Sequence, residues 1–337
     1  MRIGEFDTAE KVFVIAEIGN NHEGSISAAE EMIGRAAEAG VDAVKFQSID
    51  PKQLVSSCET QRLAQLARFQ LSEDEYFGLA DTAKREGVVF LSTPFYLKAI
   101  DFLNPLVPAF KIASGDNDFI SLLRVVAGTQ KPILLSTGMS DLVGIAKAID
   151  TIESFWMEIG LAENPGIALL HCVSSYPTTS SDANIGFLRE LASLGHVVGY
   201  SDHTIGSEAV SLAIALGARV IEKHFTLDKN FSDFRDHQIS CDPQEMKAYC
   251  ETIRLSEVLL GSGKKRLLKC EEATHAAARR SLVAARDLPA GHVLQWSDFA
   301  WLRPGGSTAP GMEDNLLGKK LKNSLSAGCS IKLELVE

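Results

Sequence analysis

Lys45 and Lys111 each interrupt a short apolar run, in DAVKFQ and AFKIAS, and hydroxyl residues close similar runs: Thr93, Ser114, Ser136, Thr137, Ser174 and Ser201. Two ammonium groups with hydroxyl and backbone donors suit an anion that carries a phosphate and a carboxylate. His203 in SDHT and His224 in EKHF end two successive runs, so imidazoles on neighbouring strands could share one divalent ion. Two histidines with open positions suit a Lewis-acid metal that polarises a carbonyl oxygen. Glu23, in NHEG, offers a general base or a carboxylate beside the metal. Each residue also has a plainer reading. A strand lysine can be a solvated edge, Ser-Thr-Gly after a strand can be a turn or helix cap, and His171 beside Cys172 can be a hydrogen-bonded core residue. Eight run-ends that all carry polar groups are harder to assign to packing.

The elements that must position these groups are legible as alternating patterns. Apolar, β-branched runs at 12–18, 42–47, 88–92, 109–114, 132–137, 167–172, 196–201 and 218–225 predict eight strands. Amphipathic stretches at 27–40, 72–87 and 141–160, and a long one at 243–260, predict helices between and after them. Eight such strands match a (β/α)8 TIM barrel, whose catalytic groups sit at the C-terminal ends of the strands. An open doubly wound sheet is the alternative; against it, no GxGxxG turn follows the first strand. The expected barrel spans residues 1–262 and a Gly/Lys-containing linker spans 263–275. Residues 276–337 then read as a small, mostly β module with Pro-Ala-Gly and Ala-Gly turns.

Composition bounds the function classes. The net charge of −11 argues against broad binding of nucleic acid, whose phosphates would be repelled. Six cysteines without close-pair spacing, behind a polar N-terminus, predict reduced thiols in a cytoplasmic protein. No apolar run approaches the roughly 20 residues that span a bilayer, so no membrane is expected.

The ordered motifs IAEIGNNHEGS, VKFQS, LSTPF, KIASGD, LSTGM, HCVSSYPT, GYSDHT and EKHFT resemble those of the sialic acid (nonulosonate) synthase family. RRSLVAARDLPAGHVL and LRPGG are similar to the antifreeze-like (SAF) domain that follows the barrel there. The resemblance implies a transferase that condenses phosphoenolpyruvate with the open-chain aldehyde of an N-acylated hexosamine, releasing phosphate by C–O cleavage. It implies that Lys45, Thr93, Lys111, Ser114, Ser136, Ser174 and Ser201 bind phosphoenolpyruvate, and that His203 and His224 hold Mn2+ or Mg2+. It places Glu23 beside the reacting carbons, and Gln47, Tyr176 and Asp236 against the amino sugar. Arg303 would reach a partner's site in a domain-swapped homodimer. The chain departs from the sialic acid branch in having Ser174 for the usual Asn and Asp116 for the usual Glu. It also lacks a Pro-Gly-Pro-Asp run before Asp236. Two other functions fit parts of the pattern: a Schiff-base aldolase using Lys111, and a carbohydrate- or ice-binding protein built on the C-terminal module.

Overall fold

Strict alternation of inward and outward residues organises the first 260 residues of the computed structural model, which describes residues 1–337. Eight parallel strands form one sheet: β1 Phe13–Gly19, β2 Ala43–Ser48, β3 Val89–Pro94, β4 Phe110–Ile112, β5 Ile133–Ser136, β6 Ile167–Cys172, β7 Val197–Asp202 and β8 Val220–His224. Their order is β3-β2-β1-β8-β7-β6-β5-β4, so the first strand pairs with the last. Strands β3 and β4 pack side by side and close the barrel. The open doubly wound alternative is thereby excluded.

On β1, Phe13 and Ile15 join Leu91, Leu134, Leu170 and Val220 in the barrel interior. Val12, Val14, Ala16 and Ile18 belong to the larger cluster that packs the outer helices. Because successive strand residues face opposite ways, Glu17, Lys45 and Glu222 continue the inward rows above this apolar floor.

The helices begin where their caps demand. Helix α1, Ile26–Glu38, starts after Ser25, which accepts from the Ala28 amide, and stops before Gly40 at φ 92°. A helix the alternation did not predict, α2 at Thr60–Phe69, follows β2. Helix α3, Glu73–Arg85, opens with a Ser72/Glu75 capping box. Helix α4 spans Leu142–Glu158, and α5 spans Pro243–Leu260 behind an Asp242/Glu245 capping box. The fourth strand is shorter than its expected 109–114, and Ser114–Asp116 instead forms a 3-10 turn. The Asn117 side-chain amide fixes that turn by donating to the carbonyls of Ser136 and Gly138. No helix is long and apolar enough to cross a membrane.

The chain divides into two compact units, Met1–Gly261 and Ser262–Glu337. The second unit takes up the whole segment expected as linker, 263–275, and helix α6, Glu272–Ala278, starts inside that segment. Its strands β9, Ser281–Ala284, and β10, Phe299–Leu302, pair antiparallel over a core that includes Leu282, Leu294, Leu316 and Ile331. Buried Asp298 ties the module together, accepting from Arg286, His292 and the Gln295 amide.

Candidate active site

The C-terminal ends of the strands surround a cavity of about 290 Å³. Its lining includes eleven of the residues singled out in the sequence: Lys45, Gln47, Thr93, Lys111, Ser114, Ser136, Ser174, Tyr176, Ser201, His203 and His224. Each barrel strand contributes through the inward parity set by its apolar floor.

The cavity is not simply cationic. Glu17 and Glu222, to which the sequence reading gave no role, also line it. Lys45 Nζ lies 2.5 Å from Glu17 Oε2 and 3.6 Å from Glu222 Oε2, and it donates to Thr93 Oγ1 at 2.9 Å. Lys111 Nζ donates to Ser136 Oγ at 2.6 Å and lies 3.8 Å from Glu222 Oε1, which also accepts from Ser201 Oγ at 2.8 Å. Burial opposes charge on Glu222, yet Lys111, Lys45 and the Ser201 hydroxyl outweigh it and hold the carboxyl down to about 2. Burial wins at Glu17, whose carboxyl is pushed up although Lys45 pulls the other way. Burial also depresses Lys111 against the attraction of Glu222, whereas Lys45, facing both carboxylates, is raised. The signal for both glutamates was available in the sequence: each stands two residues after an inward apolar position, Ile15 and Val220.

His203 and His224 face each other with ring centroids 5.4 Å apart. His203 Nδ1 lies 2.9 Å from the Val173 carbonyl, which can only accept, so Nδ1 carries the hydrogen and Nε2, in the neutral ring, keeps its lone pair. His224 Nδ1 is buried without a hydrogen-bond partner. Burial and the neighbouring His203 push His224 well below the usual imidazole range and keep it neutral. Burial opposes charge on His203 as well, but Cys172, the Val173 carbonyl and Glu222 outweigh it and raise that imidazole, so a divalent ion held between the two rings would have to displace any proton on His203 Nε2. No third His, Cys, Asp or Glu side chain completes a ligand group around them.

Other polar atoms at the cavity are also unsatisfied: Ser174 Oγ and Glu222 Oε2 have no hydrogen-bond partner. Buried groups of this kind call for a ligand or water. Gly138 lets two of the serine hydroxyls come close, since a Cβ at that position would sit 2.6 Å from Ser114 Oγ and 2.7 Å from Ser174 Oγ and would push them aside. Tyr176 packs its ring 4.3 Å from that of His203, and the Arg235 guanidinium lies 4.8 Å from the Tyr176 ring centre. Asp236 follows Arg235 and does not line the cavity; burial raises its carboxyl against the opposing pull of Arg235 and then His203.

Other singled-out residues also stand outside the lining. Glu23 does not line the cavity. Its residue adopts φ 45°, and the carboxylate turns to the 228–240 segment, accepting from Ser232 Oγ and lying 3.4 Å from His237 Nε2. Thr137 is likewise outside the lining, its hydroxyl and amide both donating to the Leu170 carbonyl of β6. His171 follows its plainer reading as a buried residue whose Nε2 pairs with the Ala183 carbonyl at 2.8 Å. Arg303 is exposed in the second unit, directly after β10. Cys172, read only as a reduced thiol, lines the cavity 3.8 Å from His203 Nδ1.

Known proteins share this combination. A family model described as NeuB family matches residues 32–265, and one described as SAF domain matches residues 279–337. The chain is 38% identical to the N,N'-diacetyllegionaminic acid synthase of Legionella pneumophila over 340 residues, 96% of this chain and 94% of that protein. It is 33% identical to the pseudaminic acid synthase of Campylobacter jejuni over 347 residues, 98% of each. The crystal structure of the N-acetylneuraminic acid (sialic acid) synthetase of Leptospira borgpetersenii matches with a TM-score of 0.75 at 30% identity. That match covers 81% of this chain and 94% of the other. With a polar cup at the mouth of a closed eight-stranded barrel and identity across nearly its whole length, the chain belongs to the NeuB family of acid-synthase enzymes and carries a SAF domain at its C-terminal end.

Proposed function

We propose that this enzyme condenses phosphoenolpyruvate with the open-chain aldehyde of an N-acylated hexosamine, giving a nine-carbon sugar acid and phosphate. The carrying observation is the set of two buried lysines, five strand-end hydroxyl side chains and two free imidazoles around one cavity. Phosphoenolpyruvate brings about three negative charges. Lys45 and Lys111 offset them, with Thr93, Ser114, Ser136, Ser174 and Ser201 as hydroxyl partners of the phosphate and carboxylate. Gln47, Tyr176 and Asp236 face the sugar.

In this reading C3 of the enol attacks the aldehyde carbon, water adds at C2, and the tetrahedral adduct expels phosphate by C–O cleavage to leave the 2-keto acid. His203 and His224 would hold Mn2+ or Mg2+, which supplies Lewis-acid polarisation of the aldehyde oxygen. The chain's own groups fix both reactants and exclude bulk water, and such positioning can lower the barrier by several kcal/mol. Glu222, kept ionised by two lysines, balances charge in the cup. Glu17, whose carboxyl is raised by burial, is the group suited to hold and return a proton. The resemblance supports a domain-swapped homodimer in which the partner subunit's Arg303 completes the sugar site. Six unpaired thiols support a reducing, cytoplasmic setting.

The test is phosphate release from phosphoenolpyruvate with a panel of acceptors, N-acetylmannosamine and its 2,4-diacetamido-6-deoxy analogues. We expect release that a chelator abolishes and Mn2+ restores. Absence of release with every acceptor in the presence of metal would overturn the proposal.

One observation favours a second reading, a Schiff-base aldolase: burial depresses Lys111, as a nucleophilic amine needs. Against it, Lys111 Nζ already donates to Ser136 Oγ and to the Ile112 carbonyl. Borohydride trapping with pyruvate separates the two readings, and no adduct is expected.

A further inference from the structure

On the outer face of the barrel, behind the two imidazoles, lies a second charged cluster that is not part of the active-site lining; Lys223, Tyr249 and Thr204 instead border a separate cavity of about 180 Å³. Asp202 and Lys223 are register partners on β7 and β8, and their side chains form an ion pair of 3.0 Å with exposures of 0% and 2%. Tyr249 of α5 donates its hydroxyl to the same Asp202 Oδ2 at 2.7 Å. The other oxygen, Oδ1, accepts from the Thr204 amide at 2.8 Å and the Thr204 hydroxyl at 2.7 Å. The Lys223 ammonium also donates to the Thr204 carbonyl.

A buried ion pair is a poor way to gain stability, because desolvation offsets much of the Coulomb attraction. Its place in the chain gives it another use. Asp202 and Thr204 flank His203, and Lys223 precedes His224. Successive residues on a strand face opposite sides, so each member of the outer pair is one peptide from an inward imidazole. The chain on both sides of His203 is thus tied to the residue next to His224.

We infer that the Asp202–Lys223–Tyr249 cluster is a brace that sets the spacing of His203 and His224, so these three are positioning residues for the metal pair. This rests on the reading of the two imidazoles as ligands of one ion. It adds a claim that the ligands alone do not carry: divalent-ion affinity is controlled from the opposite face of the sheet.

The test is Mn2+ binding by calorimetry and the visible spectrum of the Co2+-loaded protein. Full-length wild type is compared with Lys223→Met, Tyr249→Phe, the double variant Asp202→Asn/Lys223→Met, and His203→Ala. Lys223→Met should raise the Mn2+ dissociation constant about ten- to a hundredfold and shift the Co2+ bands. Tyr249→Phe should do so about threefold, roughly the effect of one lost hydrogen bond. Lys223→Met strands a buried carboxylate and is destabilised; the double variant leaves no lone buried charge, should fold, and should still bind Mn2+ weakly. Unchanged affinity and spectrum in the folded double variant and in Tyr249→Phe would overturn the brace while leaving the metal reading intact. Wild type that bound no ion, or bound it equally well as His203→Ala, would overturn the metal reading and the brace with it.

Discussion

Lys45 Nζ stands 2.5 Å from Glu17 Oε2, at paired positions on adjacent barrel strands, and both side chains are only 3% exposed. An anionic substrate that seeks Lys45 must therefore compete with a carboxylate already in place. Because burial raises that carboxyl, binding of a phosphate or carboxylate to Lys45 would weaken the one attraction keeping Glu17 charged and favour its protonation. The pair links anion binding to proton uptake.

Replacing Glu17 with Gln keeps the side-chain shape and removes the titratable proton, at the loss of one of the two bonds the carboxylate accepts from Lys45 and Gln47. We expect kcat to fall about 100-fold, the usual worth of a positioned acid–base group, while the KM for phosphoenolpyruvate stays level or drops because Lys45 loses a competitor. Steady-state kinetics with both substrates varied decides this. A rise in the KM for phosphoenolpyruvate with kcat unchanged would make Glu17 a binding group instead.

Much of this site was legible in the sequence because strand parity is a strong code. Lys45, Lys111, Ser136, Ser201 and His224 all sit where an inward row runs past the apolar floor. The same code marks Glu17, but within VFVIAEIG the glutamate reads as a lone charge in a fully apolar strand. Glu23 falls outside the lining because its position depends on a turn rather than on a strand. Its positive φ aims the side chain at Ser232 and His237, more than 200 residues away in sequence, and no local pattern encodes that contact. The Asp202–Lys223 pair was hidden for a related reason, since it lies on the outward rows, where apolar packing is the rule.

Gly138 tests how closely the serines approach. An added methyl at that residue would meet Ser114 Oγ at 2.6 Å and Ser174 Oγ at 2.7 Å. Gly138→Ala should push both hydroxyls away, at a cost of about 1–3 kcal/mol in stability. The KM for phosphoenolpyruvate should rise about tenfold, close to one lost hydrogen bond to a charged group. Thermal unfolding and kinetics on the same preparation check both. An unchanged KM would remove Ser114 and Ser174 from the anion site.

Asp116, on the turn after β4, gives a pH signature. Burial and then the neighbouring Asp118 raise its carboxyl to about 6, and its Oδ2 has no hydrogen-bond partner. Folding therefore favours the protonated form. The stability it contributes is present below the ordinary carboxylate range and is lost as pH rises to about 6. Asp116→Asn removes the penalty and should stabilise the protein at pH 7–8 by roughly 1 kcal/mol, the shift being discounted for partial exposure. The advantage should vanish near pH 4. Melting temperatures across this range decide it; an advantage that grew on acidification would contradict the assignment.

The proposed swap of Arg303 between subunits can be tested by co-expressing two impaired proteins and assaying at a sugar concentration too low for Arg303→Ala alone to turn over measurably. A His203→Ala subunit lacks a metal ligand but retains Arg303, and an Arg303→Ala subunit retains its barrel residues. In a swapped dimer of one of each, the site with intact His203 receives the partner subunit's Arg303 and is complete. The other site lacks both residues. Random assembly from equal amounts makes about half the dimers mixed with one good site apiece, so about a quarter of wild-type activity should return on co-expression. If Arg303 served its own subunit, neither barrel in any dimer would be complete and nothing would return. Parallel titration of the two substrates adds a second readout, because Arg303→Ala alone should raise the KM for the sugar far more than that for phosphoenolpyruvate.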